Sequence, residues 1–226
     1  MSIRWSGLSY RYADGGHALY FADLALASGQ HLLLRGPSGS GKSTLLALMA
    51  GLLTPASGQI QIADISLGTL NPRQRDAWRG AQLGFVPQRL HLSASLSVLD
   101  NLAMPFISAG KAPQPARALE LLRQLGLQGM ETRLPHQLSV GQAQRVALVR
   151  ALMRQPALLV ADEPSASLDD VNASQVLTLL LETAAQHHIT LILATHDSRL
   201  VQPLLGRPDW TVFDLAASTG SEVGHA

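Results

Sequence analysis

Residues 36–44 read Gly-Pro-Ser-Gly-Ser-Gly-Lys-Ser-Thr and decide the fold of this 226-residue chain. The stretch fits the pattern G-x-x-x-x-G-K-[ST], in which the backbone N–H groups of a glycine-rich loop surround phosphate oxygens. An apolar run of strand type, 31–35, precedes it, and a helical run, 44–50, follows it. This context disfavours a chance glycine-rich turn. We predict a strand, a phosphate-binding loop and a helix that begins near Lys42, with the positive end of its dipole beneath the phosphates.

Composition excludes several other classes of function. The net charge of +1 gives no electrostatic reason to expect binding to nucleic acid or to an anionic membrane surface. The absence of cysteine excludes disulfides, thiolate metal sites and a cysteine nucleophile. The first residues lack the apolar segment of a signal peptide, and no uninterrupted apolar stretch approaches the roughly 20 residues that span a bilayer. If the protein works at a membrane, we expect another chain to hold it there.

Strand-like and helix-like segments alternate along the chain, which favours an α/β fold with a largely parallel sheet. Continuous apolar runs at 157–162 and 189–195 have the pattern of strands that are buried on both faces. The other strand candidates are 3–12 and 18–26, around an expected turn at Asp14-Gly15-Gly16, together with 58–63 and 83–87.

Residues 89–138 are predicted to form a mainly helical insertion. Apolar residues recur at helical spacing in 98–108 and 116–126, with prolines between the two segments. A further helix is predicted over 141–154. The last stretch, 216–226, is small and polar, and we expect it to be disordered.

Two adjacent carboxylates, Asp162 and Glu163, end the apolar run 157–162. Because the carboxyl ends of parallel strands meet at one edge of a sheet, we expect both carboxylates to face the phosphate-binding loop. Asp162 would then hold Mg²⁺, directly or through water, as would the Ser43 hydroxyl, and Glu163 would polarise an attacking water as general base. A pair of solvated loop carboxylates is the alternative interpretation.

The segment Leu138-Ser139-Val140-Gly141-Gln142 permits two interpretations that are compatible with each other. Taken alone, it is a helix cap, because serine is a good N-cap residue and a helix is predicted to begin near Gly141. A helix N terminus with a serine hydroxyl is also suited to bind a phosphate.

Together these motifs resemble the nucleotide-binding subunit of ATP-binding cassette (ABC) transporters. The resemblance covers about residues 3–215 and rests on the order and spacing of the phosphate-binding loop, Gln88, Leu138–Gln142, Asp162-Glu163 and His196. It implies an α/β P-loop NTPase fold with a RecA-like parallel-sheet core, an N-terminal antiparallel β subdomain and a helical insertion subdomain. A single domain is expected, in which 1–88 and 156–215 form the nucleotide-binding core, 89–155 the helical and signature subdomain, and 216–226 a tail.

The resemblance also implies roles for the matching residues. ATP would be bound by Tyr12, stacked on adenine, and by Gly36, Pro37, Ser38, Gly39, Ser40, Gly41, Lys42, Ser43 and Thr44. The catalytic residues would be Lys42, Gln88, Glu163 and His196, and the Mg²⁺ ligands Ser43, Gln88 and Asp162. The residues that contact the γ-phosphate held by the opposite subunit would be Ser139, Gly141 and Gln142. The loop that crosses the dimer interface would contain Ser167, Leu168 and Asp169. The alternative interpretation is that Tyr12 is an ordinary tyrosine of a strand, and it stays open because Tyr10 lies close by in sequence.

The same resemblance implies an assembly. Two copies would pair head to tail, with ATP between one copy's loop and the other copy's Ser139–Gln142, and hydrolysis would reopen the pair. The helical insertion would pass this motion to a membrane permease, and through it to a periplasmic partner, with no nucleic acid involved. The chain would lie on the cytoplasmic face of a bacterial inner membrane.

The segments 84–88 and 96–105 are similar to ATPases of lipoprotein release and macrolide efflux. A short importer ATPase is the rival within the family. From other classes, the rivals are a soluble ABC-type ATPase of translation or DNA repair and a regulatory module that binds ATP but barely hydrolyses it. Only Val140 favours the regulatory module, because the family usually has glycine there and valine resists positive φ.

Overall fold

The structure, a computed structural model, describes residues 1–12, 18–166 and 168–215. The turn expected at Asp14-Gly15-Gly16, the interface residue Ser167 and the tail 216–226 lie outside these ranges. The chain divides into two compact units, one formed by Met1–Arg75 with Ile192–Ala226 and the other by Asp76–Leu191. The division into a nucleotide-binding core and a helical subdomain stays a prediction.

The first sheet belongs to the first unit and is antiparallel. Its strands are β1 (Ile3–Tyr10), β2 (Leu19–Tyr20), β3 (Leu24–Leu26), β5 (Ser57–Ile62) and β6 (Ile65–Ser66). β1 pairs with β2, β3 and β5, and β5 pairs with β6. The predicted strand 3–12 therefore ends at Tyr10, and 18–26 forms two short strands. The pairing of β1 with β5 is irregular between Ser6 and Ser9, where Gly7 has φ 56°. The alternation of inward and outward side chains changes there, so that Leu8 is buried in the core.

The second sheet has the strand order β10-β4-β9-β8-β7. These strands are β4 (His31–Arg35), β7 (Leu83–Val86), β8 (Leu158–Asp162), β9 (Thr190–Thr195) and β10 (Trp210–Asp214). The pairs β10–β4, β4–β9 and β7–β8 are parallel. The central leucines of β4 and the apolar residues of β8 and β9 are buried, so the strands predicted to be covered on both faces are confirmed.

The structure contains the predicted helices together with helices that were not predicted. They are α1 (Lys42–Met49), α2 (Pro72–Gln82), α3 (Val98–Ile107), α4 (Pro115–Gln124), α5 (Val140–Leu152), α6 (Asp170–Gln186) and α7 (Ser198–Val201). The helices predicted at 98–108, 116–126 and 141–154 correspond to α3, α4 and α5, whereas α2 and α6 were not predicted. Within the described ranges, every helix is too short or too polar to traverse a lipid bilayer.

Helix α5 packs directly on the backbone of β7. A Cβ atom added at Gly84 would lie 2.7 Å from the carbonyl oxygen of Ala151 and 3.0 Å from Cγ of Pro156. Glycine is therefore required at this position by the close approach of two backbones, and α5 is held firmly against the strand that leads to Gln88.

We predict that Gly84→Ala lowers the free energy of unfolding by about 1–3 kcal/mol, because the new methyl group meets a backbone carbonyl that cannot rotate away. Gly68→Ala is the matched control, since a Cβ there has no heavy atom within 4 Å. The control should change stability by less than about 0.5 kcal/mol. Urea unfolding of both variants makes the comparison, and equal stabilities would contradict the close approach.

Candidate nucleotide-binding site

The predicted strand–loop–helix is present in the first unit, where residues 36–41 connect β4 to α1. Gly39 (φ 78°) and Gly41 (φ 96°) adopt the left-handed conformation, and Gly41 is the N-cap of α1. A Cβ at Gly36 would lie 2.5 Å from the Leu215 carbonyl oxygen and 2.7 Å from Oγ of Ser40. The loop thus needs its glycines for two separate reasons, backbone conformation and close approach.

Lys42, the first residue of α1, is only 6% exposed. Its Nζ donates hydrogen bonds to the carbonyl oxygens of Gly36 (2.8 Å) and Pro37 (3.1 Å), so the ammonium group lies against the loop. Oγ of Ser40 is buried and has no hydrogen-bond partner among the described residues. A buried cation and an unsatisfied hydroxyl beside the N terminus of a helix fit an anionic ligand such as a phosphate.

Tyr12 is tied to the helix that follows the loop. Its hydroxyl forms a hydrogen bond with Oγ1 of Thr44, and its ring packs edge-to-face on Tyr10 with centroids 5.0 Å apart. The residue is 42% exposed, and Ser43 is also exposed. Of the two tyrosines, Tyr12 is therefore the one that contacts a residue of the glycine-rich motif.

An ion pair links the ends of β4 and β10 immediately before the loop. Arg35 donates to both carboxylate oxygens of Asp214, at 2.5 and 2.8 Å, and the hydrogen bond lowers the pKa of Asp214. The Leu215 N–H also donates to the Arg35 carbonyl oxygen. Because both side chains are accessible to solvent, which screens their charges, the pair contributes little to stability, and its effect is to connect the two strand ends.

His196 follows β9 and is exposed. The Asp197 N–H donates to Oγ1 of Thr195 at 3.0 Å, and Asp197 caps α7 and forms an ion pair with Arg199 at 2.7 Å. The turn after β9 is thus held by hydrogen bonds on both sides of the predicted switch histidine.

In the second unit, β8 ends at Asp162 and is followed directly by Glu163, which is 8% exposed and has φ 45°. The left-handed conformation costs a residue with a Cβ about 1–3 kcal/mol, and such strain is concentrated at functional sites. The Nε2 amide of Gln144, a buried residue of α5, donates to the Pro164 carbonyl oxygen. Sequence reasoning missed both the strained backbone and Gln144.

Gln88 lies in the same unit, beyond the end of β7, and is exposed. The predicted Mg²⁺ ligands Ser43, Gln88 and Asp162 include a single carboxylate. Within the described ranges, no group of three or more histidine, cysteine, aspartate or glutamate residues could hold a metal ion. Mg²⁺ prefers oxygen ligands and is commonly held by one or two carboxylates together with water and substrate phosphates, so this donor set fits Mg²⁺ bound with a nucleotide.

The signature segment forms a reciprocal cap at the start of α5. Oγ of Ser139 accepts a hydrogen bond from the Gln142 N–H at 3.2 Å, and Oε1 of Gln142 accepts one from the Ser139 N–H at 2.9 Å. The cap interpretation is therefore confirmed. The hydroxyl proton of Ser139 is not used by either bond, so the side chain can still donate to an anion.

Helix α5 begins at Val140, one residue earlier than predicted. Val140 is its first residue, it is 65% exposed, and its φ is not positive. The expectation that this residue precedes the helix is wrong, and the position requires no backbone conformation that valine resists.

The described part of the predicted interface loop has a local structural role as well. Asp169 is the N-cap of α6 and accepts hydrogen bonds from the backbone N–H (2.8 Å) and the side-chain amide (2.9 Å) of Asn172. The Leu168 N–H donates to the Ser165 carbonyl oxygen. These bonds hold Leu168 to Ser165 and cap the start of α6.

Comparison with known proteins agrees with this arrangement. A protein-family profile described as "ABC transporter" matches residues 21–166. The chain is 43% identical over 196 residues to the lipoprotein-releasing system ATP-binding protein LolD of Legionella pneumophila (strain Lens), with 84% of this chain and 86% of that protein covered. It is 37% identical over 205 residues to the macrolide export ATP-binding/permease protein MacB of Rhodopirellula baltica, with 88% of this chain and 30% of MacB covered.

A solved structure shows the same fold. The dimeric post-hydrolysis state of the ATP-binding cassette MJ0796, bound to ADP and Pi, matches with a TM-score of 0.75 and 30% identity, covering 88% of this chain and 89% of that chain. The fold and the site thus define an α/β P-loop ATPase of the cassette type. The chain belongs to the ABC transporter family and is the ATP-binding, ATP-hydrolysing subunit of such a transporter.

These findings confirm the predicted family, fold class and ATPase activity, and also the likeness to proteins of lipoprotein release and macrolide export. Among the relatives, the cassette MJ0796 is dimeric, and LolD is the ATP-binding protein of a lipoprotein-releasing system.

We predict that Val140→Gly leaves ATP turnover within about twofold of the parent protein and lowers stability by at most about 0.5 kcal/mol, because Val140 already has helical backbone. Val171→Gly is the matched control, since Val171 is 66% exposed and lies in the first turn of α6, outside the signature segment. Phosphate release and urea unfolding measure the two effects. A large rise in turnover confined to Val140→Gly would show that valine restrains the reaction.

Proposed function

We propose that the chain powers a lipoprotein-releasing permease as a head-to-tail dimer that closes on ATP and opens after hydrolysis. The observation that carries this proposal is the 43% identity to LolD across 84% of the chain. The site supports it, because the glycine-rich loop, the strained Glu163 and the capped Ser139 provide the chemistry that such a cycle needs.

ATP is bound by Gly36 to Thr44 and Tyr12. The backbone N–H groups of the loop and the N terminus of α1 surround the phosphates, while Lys42 adds a point charge and Tyr12 stacks on the adenine. Mg²⁺, when bound, neutralises charge on the phosphates, and its ligands are Ser43, Asp162 and Gln88.

Glu163 is the general base. Its carboxylate accepts a proton from the attacking water, and the fixed backbone at φ 45° determines where that carboxylate points. Gln88 orients the same water, and His196 and Lys42 stabilise the charge that develops on the transferred phosphoryl group. The exposure of Gln88 and His196 at strand ends supports these roles, because neither side chain is buried in its own unit.

The partner copy completes each site. Ser139 donates its hydroxyl proton to the γ-phosphate held by the opposite loop, Gly141 and Gln142 line the same contact, and Ser167, Leu168 and Asp169 cross the interface. The dimeric state of MJ0796 with ADP and Pi supports this arrangement. It is an isologous dimer in which the ligand forms part of the interface.

A separate permease receives the motion. The name of the relative MacB combines an ATP-binding part with a permease, and this chain matches 30% of its length. We infer that a permease chain binds the helical insertion 89–138, connects it to a periplasmic partner and places the ATPase on the cytoplasmic face of the bacterial inner membrane. Nucleic acid has no part in this cycle.

We predict that Glu163→Gln retains ATP binding, lowers hydrolysis at least about a hundredfold and accumulates an ATP-bound dimer, because glutamine cannot accept the proton. Glu182→Gln, an exposed substitution on α6, is the control. Phosphate release and light scattering with and without ATP make the measurement. Ready hydrolysis by the Glu163 variant rules out its role as base.

We predict that Tyr12→Ala weakens ATP binding by roughly tenfold, whereas Tyr12→Phe retains it, since the ring rather than the hydroxyl stacks on the base. Tyr10→Ala serves as the matched control and should bind ATP nearly as well as the parent protein. Titration with a fluorescent ATP analogue tests this, and equal losses at both positions would reject the assignment.

The partner is identified by purifying a tagged Glu163→Gln chain from detergent-solubilised membranes of its native host, with and without ATP. Lys42→Ala is the control that should not form the ATP-bound dimer. Depletion of the chain should then cause lipoproteins to accumulate in the inner membrane. Sensitivity to macrolides without lipoprotein accumulation would favour the MacB type, and recovery of the chain from the soluble fraction alone would overturn the proposal.

A further inference from the structure

We propose that Arg150 is a positioning residue for ATP hydrolysis, because it holds the loop that carries Gln88. The inference rests on the proposed role of Gln88. We call residues 88–97, between β7 and α3, the Gln88 loop. It has no helix or strand of its own, so its position depends on side chains that reach it from elsewhere.

Arg150, on α5, binds the part of the Gln88 loop that follows Gln88. Its Nη1 donates to the His91 carbonyl oxygen at 2.7 Å, and its Nη2 donates to the Leu90 carbonyl oxygen at 2.6 Å. The planar guanidinium thus holds two consecutive backbone carbonyls with a single fork. The residues that it fixes begin only two positions after Gln88.

The far end of the Gln88 loop has a different anchor. Asn101, a buried residue of α3, accepts from the Ser93 N–H and donates to the carbonyl oxygens of Ser93, Leu96 and Ser97. The end of the loop that begins at Gln88 therefore depends on α5, and the end that leads into α3 depends on Asn101 of α3 itself.

The segment held by Arg150 is strained. His91 has φ 47°, which residues with a Cβ rarely adopt, and its carbonyl oxygen is one of the two that Arg150 binds. Without this bond, His91 can relax to a more common conformation. Such a relaxation would carry Gln88 away from the position that the fork enforces.

The environment of Arg150 argues against a simple surface contact. Burial lowers the pKa of its guanidinium, and no salt bridge to Arg150 is present in the described ranges. Desolvation of a cation is unfavourable in itself. For Arg150 it is offset by the two hydrogen bonds to backbone carbonyls, which also hold the loop.

Helix α5 connects this contact to the signature segment. Ser139 caps its N terminus, Gln144 binds the carbonyl after Glu163, and Arg150 binds the Gln88 loop. From Ser139 to Arg150, an α-helix extends about 16 Å at 1.5 Å per residue. A helix packed on β7 at Gly84 transmits a displacement of its N terminus to the loop as a rigid element.

Arg117 provides a matched control for the experiment. It also donates to two consecutive carbonyls, those of Leu152 (2.9 Å) and Met153 (2.8 Å), and burial lowers the pKa of its guanidinium as well. Its partners are the last residue of α5 and its C-cap, two and three positions after Arg150, and neither of them belongs to the Gln88 loop. Arg150→Lys removes a fork from α5 to the Gln88 loop, Arg117→Lys removes the same kind of fork from α4 to the end of α5, and both substitutions keep the charge.

The wild-type chain is first shown to hydrolyse ATP, and kcat, ATP affinity and the Mg²⁺ concentration for half-maximal rate are then measured in each variant. Arg150→Lys should lower kcat at least about tenfold and raise the Mg²⁺ requirement, with ATP affinity within about twofold, because misplacement of a reacting group affects the chemical step. Arg117→Lys should leave all three quantities within about twofold, since its fork lies outside the Gln88 loop.

A double-mutant cycle tests whether Arg150 acts through Gln88. In a Gln88→Ala background, Arg150→Lys should have little further effect on kcat. If the two residues acted independently, the fold-reductions in kcat of the two single variants would multiply in the double variant. Hydrogen exchange should become faster in residues 89–92 of Arg150→Lys and remain unchanged in 163–166 and at Ser93, whose N–H is held by Asn101. Adding His91→Gly, which relieves the strained φ, should restore part of the lost rate.

Several outcomes would overturn the proposal. These are an unchanged kcat in a folded Arg150→Lys, equal losses in the Arg150 and Arg117 variants in proportion to their stability, or multiplicative effects with Gln88→Ala. If Arg150→Lys fails to fold, unprotected amides at 89–92 in the wild-type chain overturn it, and protected ones support it. A wild-type chain without ATPase activity would instead refute the proposed function.

Discussion

Burial of the central residues of β4, β8 and β9 determines where this protein can place its chemistry. The interior residues of β4, β8 and β9 are apolar and inaccessible to water, and a charged side chain among them would be strongly unfavourable. Polar groups therefore occur where each strand ends: the glycine-rich loop after β4, Asp162 and Glu163 at the end of β8, and His196 after β9. The polar motifs come directly after the strands because polar and charged side chains would be unfavourable within the buried strands.

Helix α5 is the second organising element. Its N terminus is closed by the reciprocal bonds of Ser139 and Gln142, and its body supplies a side chain to each of two irregular segments, at Pro164 and at Leu90. A rigid helix is well suited to this task, because every residue along it keeps a fixed distance from the others. The capped N terminus and the order in the two irregular segments therefore depend on the same element.

The sequence predicted the features that depend on residues close together in the chain. The strand–loop–helix around Lys42, the buried strands β8 and β9 and the cap at Ser139 all follow from spacing, apolar runs and single-residue preferences. Helix α6 was missed although Ala173, Val176, Leu177 and Leu180 recur at helical spacing behind an aspartate cap. The contacts of Gln144 and Arg150 could not be predicted, because they join residues 20 and 60 positions apart and bind carbonyls that every residue possesses. The left-handed backbone of Glu163 is likewise imposed by its surroundings.

The cap at Ser139 also affects how costly ligand recognition is. A side chain that must be ordered when a ligand arrives loses rotational freedom at that moment, and this loss subtracts from affinity. Here the serine rotamer and the first turn of α5 are immobilised while the chain folds, and a proton on the hydroxyl is left over. A phosphate that bound at this helix would therefore meet a serine whose conformational entropy has already been removed.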